Sequence, residues 1–177
     1  LLQNTREAFE SQLRSGHYNE LRVALYFMLR GHAVHIGFSG QSFDLLVVPV
    51  DGRPSFKVEV KWDKAAARSG NIFLELHNPR SNRPSGLTAS QADWWCHVVG
   101  EGQWAYLMPI VFLRQWLEGQ ELRSTRTQGK DSNSRGVLVP LASLAQERRF
   151  LRVDLPTPEA FFDRLLEQAL RPSGPPA

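Results

Sequence analysis

Phe43-Asp44-Leu45-Leu46-Val47-Val48, the turn Asp51-Gly52-Arg53-Pro54, and then Phe56-Lys57-Val58-Glu59-Val60-Lys61-Trp62 read as two neighbouring strands of one hairpin. In the second strand Phe56, Val58, Val60 and Trp62 alternate with Lys57, Glu59 and Lys61. A period of two sends the two sets to opposite faces. Glu59 and Lys61 therefore point the same way, and a paired hairpin lets Asp44 reach the same patch. Two carboxylates and an ammonium on one face are costly unless something binds there, and a divalent cation is the usual occupant. On spacing alone, the solvated face of an antiparallel hairpin accounts for the same residues.

On the N-terminal side, residues 5–14 carry a helical pattern, with Phe9 and Leu13 four apart. Ser15-Gly16 is expected to break that helix, and Tyr18 to Arg30 to resume it. There Leu21, Ala24, Leu25, Met28 and Leu29 form a core-facing stripe, and Gly31 suits a C-cap. Ala33 to Phe38 reads as a strand and Ser39-Gly40-Gln41 as the turn into Asp44. On the other side come a polar loop (63–71), a strand at Ile72–Leu76 and a basic loop at Asn78–Gly86. Thr88 then caps a short helix running towards Trp94. Cys96–Val99 and Trp104–Met108 read as strands, and Ile110–Leu117 as a helix. Residues 119–136 read as a mobile polar loop. Val137–Val139, a helical turn at Leu141–Ala145 and Phe150–Val153 follow. Thr157 and Pro158 open a last helix whose stripe is Phe161, Phe162, Leu165, Leu166, Ala169 and Leu170.

A chain of 177 residues with 42% hydrophobic and 22% charged residues is expected to fold as one soluble domain, here 1–171, with a disordered tail at 172–177. The lone Cys96 excludes an internal disulfide framework and fits a reducing, cytoplasmic setting. No apolar run is long enough to span a bilayer. A net charge of +3 agrees with a polyanionic partner. His32 with His35, and His77, His97 and Cys96, lack the spacing of a zinc site. Neither a nucleophile elbow nor a glycine-rich nucleotide loop is present, so no nucleotide cofactor is expected.

Asp44 followed by Glu59-Val60-Lys61 resembles the Asp…Glu-x-Lys signature of the PD-(D/E)XK nuclease superfamily, with Phe43 where the signature has proline. The stretches Ser69–Glu75 and Gly86–Trp95 are similar to members from phage and bacterial genomes, and Holliday-junction-resolvase-like enzymes are resembled most. The likeness covers about residues 17–110. It implies an α/β, restriction-endonuclease-like core in the order helix, three strands, helix, strand. A central mixed sheet would be flanked by helices, with a further helix at the C-terminus. The implied activity is Mg²⁺-dependent hydrolysis of DNA phosphodiesters, with Mn²⁺ substituting and Holliday junctions as substrate. Restriction, repair or recombination nucleases acting on duplex ends, flaps or single strands share the same core. A non-catalytic DNA-binding module on this fold is a further alternative.

The resemblance makes Asp44 and Glu59 metal ligands, adds the Val60 carbonyl, and matches Glu20 to a glutamate contributed by the first core helix. Lys61 would assist the attacking water and the developing oxyanion. Ser39, Ser42, Lys57, Lys64, Arg68, Arg80, Arg83 and Gln91 surround these elements as candidate DNA contacts. A homodimer is expected, since two symmetric cuts suit two sites related by a twofold axis; Val23, Tyr26 and Phe27 lie off the main stripe of the Glu20 helix, and a partner chain or the C-terminal helix could each cover them. Of the adjacent Trp94 and Trp95, one is expected in the core and the other over a groove or partner.

Overall fold

Val58 and Val60 are buried while Glu59 and Lys61 are not, so β3 (Phe56–Asp63) carries the alternation read from its sequence. The computed structural model describes the backbone of residues 2–37, 42–126 and 134–170, and side chains at 14–37, 42–122, 134–168 and 170. Ser39, the 127–133 part of the expected loop and the tail at 172–177 lie outside the described residues.

α1 (Leu2–Met28) leads into β1 (Ala33–Ile36), β2 (Leu45–Val48) and β3. Then come α2 (Ala66–Ser69), β4 (Asn71–Asn78), β5 (Arg83–Pro84), β6 (Trp94–Val99) and β7 (Trp104–Pro109). α3 (Ile110–Glu118), β8 (Arg123–Arg126), β9 (Arg135–Pro140), α4 (Leu141–Gln146), β10 (Leu151–Asp154) and α5 (Pro158–Leu170) complete the chain. The central sheet has six strands in the order β1-β2-β3-β6-β7-β10. It is mixed: β3 and β6 run parallel, and the other neighbours are antiparallel. A second, four-stranded sheet runs β5-β4-β9-β8. The α/β class with a mixed central sheet therefore holds. No described helix is long and apolar enough to cross a membrane.

One core lies between α1 and the central sheet, where Val23, Ala24, Tyr26 and Phe27 pack on Val58, Val60, Cys96, Val98 and Leu107. Trp95, Val99 and Met108 on the opposite face join Ile72 and Leu74 of β4 and Leu113 of α3 in a second core. Trp94 and Trp95 thus belong to different faces of the sheet. Trp95 is buried, and Trp94 is half-buried beside a groove, as expected for the pair.

Several expected elements differ. α1 passes through Ser15-Gly16 without a break, and Asn19 Nδ2 donates to the Ser15 carbonyl across that turn at 2.9 Å. An interior glycine costs a helix only about 1 kcal/mol. The buried face of α1 is also rotated from the expected stripe. Leu21 and Met28 are 36% and 44% exposed, whereas Val23, Tyr26 and Phe27 are in the core. The chain's own sheet covers these three residues, which removes the argument for a dimer drawn from them. Residues 63–71 include the one-turn α2, opened by Asp63 Oδ1 accepting from the N–H groups of Ala65 and Ala66. No helix follows Thr88. The crossover from β3 to β6 runs through α2, β4 and β5, then turns at residues 86–89 and an extended connection. The polar stretch 119–136 contains strand β8 and the first two residues of β9. On α5, Phe161 is buried, but Phe162, Leu165, Leu166 and Leu170 are exposed.

Arg22 ties α1 to the far end of the chain. It is 3% exposed, donating through Nη2 to the Leu155 carbonyl and through Nε to the Pro156 carbonyl, both at 2.9 Å. The β6–β7 turn closes against the same place. Gly102 has φ of 87°, and a Cβ there would stand 2.5 Å from Asn19 Oδ1 and 2.6 Å from Arg22 Nη1. Arg22→Ala strips donors from buried carbonyls and is expected to cost about 3 kcal/mol in urea unfolding. Arg22→Lys, which lacks the planar fork, is expected to recover less than half of the loss.

Candidate active site

β2 stops one residue short of Asp44, and the Asp44 carboxylate continues its pairing. Asp44 N donates to the Val58 carbonyl at 3.0 Å, and Asp44 Oδ2 accepts from Val60 N at 2.6 Å. Lys57 and Asp63 turn their carbonyls to the β6 side, accepting from Asp93 N and Gly100 N at 3.0 Å each. Alternation then turns the N–H and C=O of Val60 to the opposite edge, where Asp44 sits. The Val60 carbonyl and the Asp44 carboxylate thus share an edge of β3 that β2 leaves open.

On the adjoining face Lys61 Nζ meets Glu59 Oε1 at 2.5 Å. Glu59 is 15% exposed and Lys61 43%. Lys61 Nζ also lies 5.9 Å from the Trp95 ring centroid. Glu20 comes from α1, is 16% exposed, and bonds through Oε2 to His17 Nδ1 at 2.9 Å. Asp44, Glu59, Lys61 and Glu20 form one electrostatic cluster, since the charges of Asp44 and Glu20 both act on Glu59 and on Lys61.

Burial pushes the Glu59 carboxyl above the ordinary carboxylate value, with Asp44 and Glu20 adding to the rise and Lys61 opposing it. Burial alone would lower the Lys61 ammonium, but contact with Glu59 and the charges of Asp44 and Glu20 outweigh it, and Lys61 stays above its ordinary value. Lys61 is therefore protonated at neutral pH. The folded chain keeps the Glu59 proton in a window where the unfolded chain has lost it, just above the ordinary carboxylate value. Stability contributed by Glu59 accordingly falls as pH rises through that window. Lys61→Ala removes the opposing charge and is expected to move the Glu59 titration midpoint, followed by carboxyl-carbon NMR, further upward. A downward shift would contradict the arrangement.

The cluster adjoins a cleft of about 290 Å³ lined by Lys61, Asp63, Phe73, Glu75, Trp95 and His97. Burial holds the His97 imidazole down to about 3, so it is neutral. Trp95 Nε1 donates to His97 Nδ1 at 3.2 Å, which leaves the ring proton on Nε2, 4.0 Å from Asp63 Oδ2. A nitrogen carrying its proton does not ligate a metal. A larger groove of about 470 Å³, beside Phe56 and Trp94 at the other end of β3, has no carboxylate among its lining residues.

The remaining candidates are scattered. Ser42 is exposed. Lys57 Nζ lies 5.2 Å from the Phe43 ring centroid. Lys64 pairs with Glu101 at 3.5 Å, and Arg68 is exposed on α2. Arg80 and Arg83 are exposed at the β4–β5 connection. Gln91 is exposed in the extended connection, not on a helix facing the site. Glu75 accepts a hydrogen bond from Ser85 Oγ at 2.6 Å. Sequence reading missed His17, although its place three residues before Glu20 on a helix was a usable signal. It also missed Asp93, whose Oδ2 accepts from Lys57 N at 2.7 Å and fixes the start of β3 against β6.

Among the described residues no three or more His, Cys, Asp or Glu side chains stand together as a ready-made metal shell. In this arrangement Lys61 holds Glu59. No family model matches the chain, and no curated protein matches it. Among solved structures, a bacterial homing endonuclease, I-Ssp6803I, is similar over 93% of this chain and 99% of its own, at 20% identity and a TM-score of 0.48.

Proposed function

We propose that the chain is a metal-dependent DNA endonuclease of the PD-(D/E)XK kind. The observation that carries this reading is the convergence of Asp44, Glu59, Lys61 and Glu20 at the open edge of β3. The donors available there are carboxylate and carbonyl oxygens, which suit a hard cation such as Mg²⁺, with Mn²⁺ as a substitute. Asp44, Glu59 and the Val60 carbonyl would hold it, with Glu20 completing the shell directly or through water. Bound Mg²⁺ would neutralise charge on the phosphate and acidify a water molecule.

The protein's own groups do the rest. Lys61, whose ammonium meets Glu59 Oε1 in this structure, would orient the attacking water and stabilise the developing oxyanion. Asp44 is anchored through Oδ2 at Val60 N. His17 holds Glu20 in place at the rim of α1.

Branched DNA, and a Holliday junction in particular, is the substrate this reading puts first. Two symmetric cuts suit a twofold dimer, and α5 offers an apolar surface for a partner, where Phe162, Leu166 and Leu170 are exposed. The deciding experiment incubates the protein with Mg²⁺ and either a synthetic four-way junction or the matching linear duplex. Paired nicks at the junction are expected. Equal cutting of both substrates would reassign it to duplex-directed cleavage, and no cutting of either would leave a DNA-binding module.

A further inference from the structure

The cleft of about 290 Å³ beside Lys61 joins aromatic walls to polar groups that the nuclease reading does not use. The rings of Trp62, Phe73 and Trp95 line it. Both indoles are held by their N–H groups, Trp62 at the Gly100 carbonyl at 2.7 Å and Trp95 at His97 Nδ1 at 3.2 Å. Phe73 is held through its backbone, whose N–H donates to Asp63 Oδ2 at 3.2 Å. The aromatic surface is therefore set before any ligand arrives.

His97 supplies the observation that points to a ligand. It is 2% exposed, its ring lines the cleft, and Nε2, the nitrogen carrying the proton, has no hydrogen-bond partner. Asp63 Oδ2, 4.0 Å away, is too distant to accept from it. A buried donor left in this state is costly unless a bound molecule takes its proton. Glu75 accepts from Ser85 Oγ through Oε1, and its Oε2 has no partner among the described residues. The cleft thus offers a donor at His97, an acceptor at Glu75 and flat apolar walls.

That set selects among ligands. Asp63 and Glu75, beside a single ammonium that already meets Glu59, repel a phosphate. A wholly apolar group would leave the His97 donor unanswered. A nucleobase is planar and carries hydrogen-bond donors and acceptors on one edge. The volume lies at the lower end of the range for ligand sites, which suits one base and not a pair. Lys61 is a wall of this cleft and also the group assigned to the reacting phosphate, so a base entering here belongs to a nucleotide at or next to the cut. A base reaches such a site only by leaving the stack, and that costs least where it is already unpaired.

We propose that this cleft receives an unpaired nucleobase of the DNA strand held at Lys61. Phe73 gives it a stacking face, His97 Nε2 donates to a base acceptor, and Glu75 accepts from a base N–H. The proposal deepens the endonuclease reading and rests on it for DNA as the ligand.

The test is fluorescence anisotropy of the full chain without divalent metal, using three labelled duplexes. One is fully paired, one carries a single-nucleotide bulge, and one carries the same bulge without its base. Wild type is expected to bind the base-bearing bulge about 10-fold more tightly than either of the others. Phe73→Leu keeps apolar bulk and loses the flat face, and Glu75→Ala removes the acceptor. Each is expected to cut that preference to about 3-fold or less, with affinity for the paired duplex unchanged. Circular dichroism and the unfolding midpoint check that both variants are folded. Equal wild-type binding of the two bulges would overturn the proposal and leave a water molecule as the partner of His97. A preference that both variants retain, or binding of none of the three DNAs, would overturn it too. Preference for the base-bearing bulge without Mg²⁺-dependent nicking would sink the nuclease reading and keep the base site. Nicking without that preference would do the reverse.

Discussion

Lys61→Ala is expected to lower the Mg²⁺-dependent nicking rate by about 10²- to 10⁴-fold, the range for a group assisting proton transfer or stabilising an oxyanion. The fold should survive the change. Lys61 is 43% exposed, but Glu59 is only 15% exposed, so the substitution leaves a largely buried carboxyl without its partner. That is expected to cost about 1–3 kcal/mol, a fall of about 2–12 °C in the unfolding midpoint. The loss should appear in kcat and much less in DNA affinity, because the role proposed for Lys61 is realised in the transition state. Lys61→Arg keeps a charge but replaces a compact ammonium with a planar fork. It is expected to recover only a minor part of the rate. Wild-type nicking by Lys61→Ala would take Lys61 out of the mechanism.

The same strand shows what is readable from sequence and what is not. β3 was legible because its two faces differ in chemistry at every step, with Val58 and Val60 against Glu59 and Lys61. Glu20 acts electrostatically on Glu59 and Lys61, but the apolar stripe from which its place was read is rotated on α1. The face of α1 that is buried was not legible. Leu21 and Met28 are as apolar as Val23 and Phe27, and Asn19 and Arg22 are buried too. Arg22 can be buried because carbonyls of Leu155 and Pro156 receive its protons, and those partners lie at the other end of the chain.

The segment after Thr88 fails as a helix for a similar reason. Leu87 N donates to the Glu75 carbonyl at 2.8 Å, and Asp93 N to the Lys57 carbonyl at 3.0 Å. Arg114 of α3 takes up the carbonyls of Leu87 and Ser90 at 2.6 and 2.7 Å. Its backbone groups are engaged by distant elements, so local helix propensity is overridden. β8 escaped notice because Arg123-Ser124-Thr125-Arg126 lacks the apolar alternation of β3, whereas Val137–Val139 was legible as part of β9.

Two substitutions at Asp44 separate its structural from its chemical part. Asp44 Oδ2 accepts from Val60 N at 2.6 Å, so its carboxylate supplies a bond that β2 would otherwise make. Asp44→Ala leaves that N–H without its partner at a half-buried edge and is expected to cost about 1–3 kcal/mol. For a chain of this size that is a fall of about 2–12 °C in Tm. Asp44→Asn keeps an amide oxygen for Val60 N while removing the charge. Its stability should stay close to wild type, and the Glu59 titration midpoint should move down, since the Asp44 charge is one of the influences raising it. Nicking is nevertheless expected to fall about 10³-fold in Asp44→Asn, because several kcal/mol of metal-borne charge stabilisation go with the lost ligand. Added Mg²⁺ should raise the Tm of wild type and leave that of Asp44→Asn unmoved. A stable Asp44→Asn protein that still gains Tm from Mg²⁺ and still nicks DNA would place the metal elsewhere, and with it the chemistry.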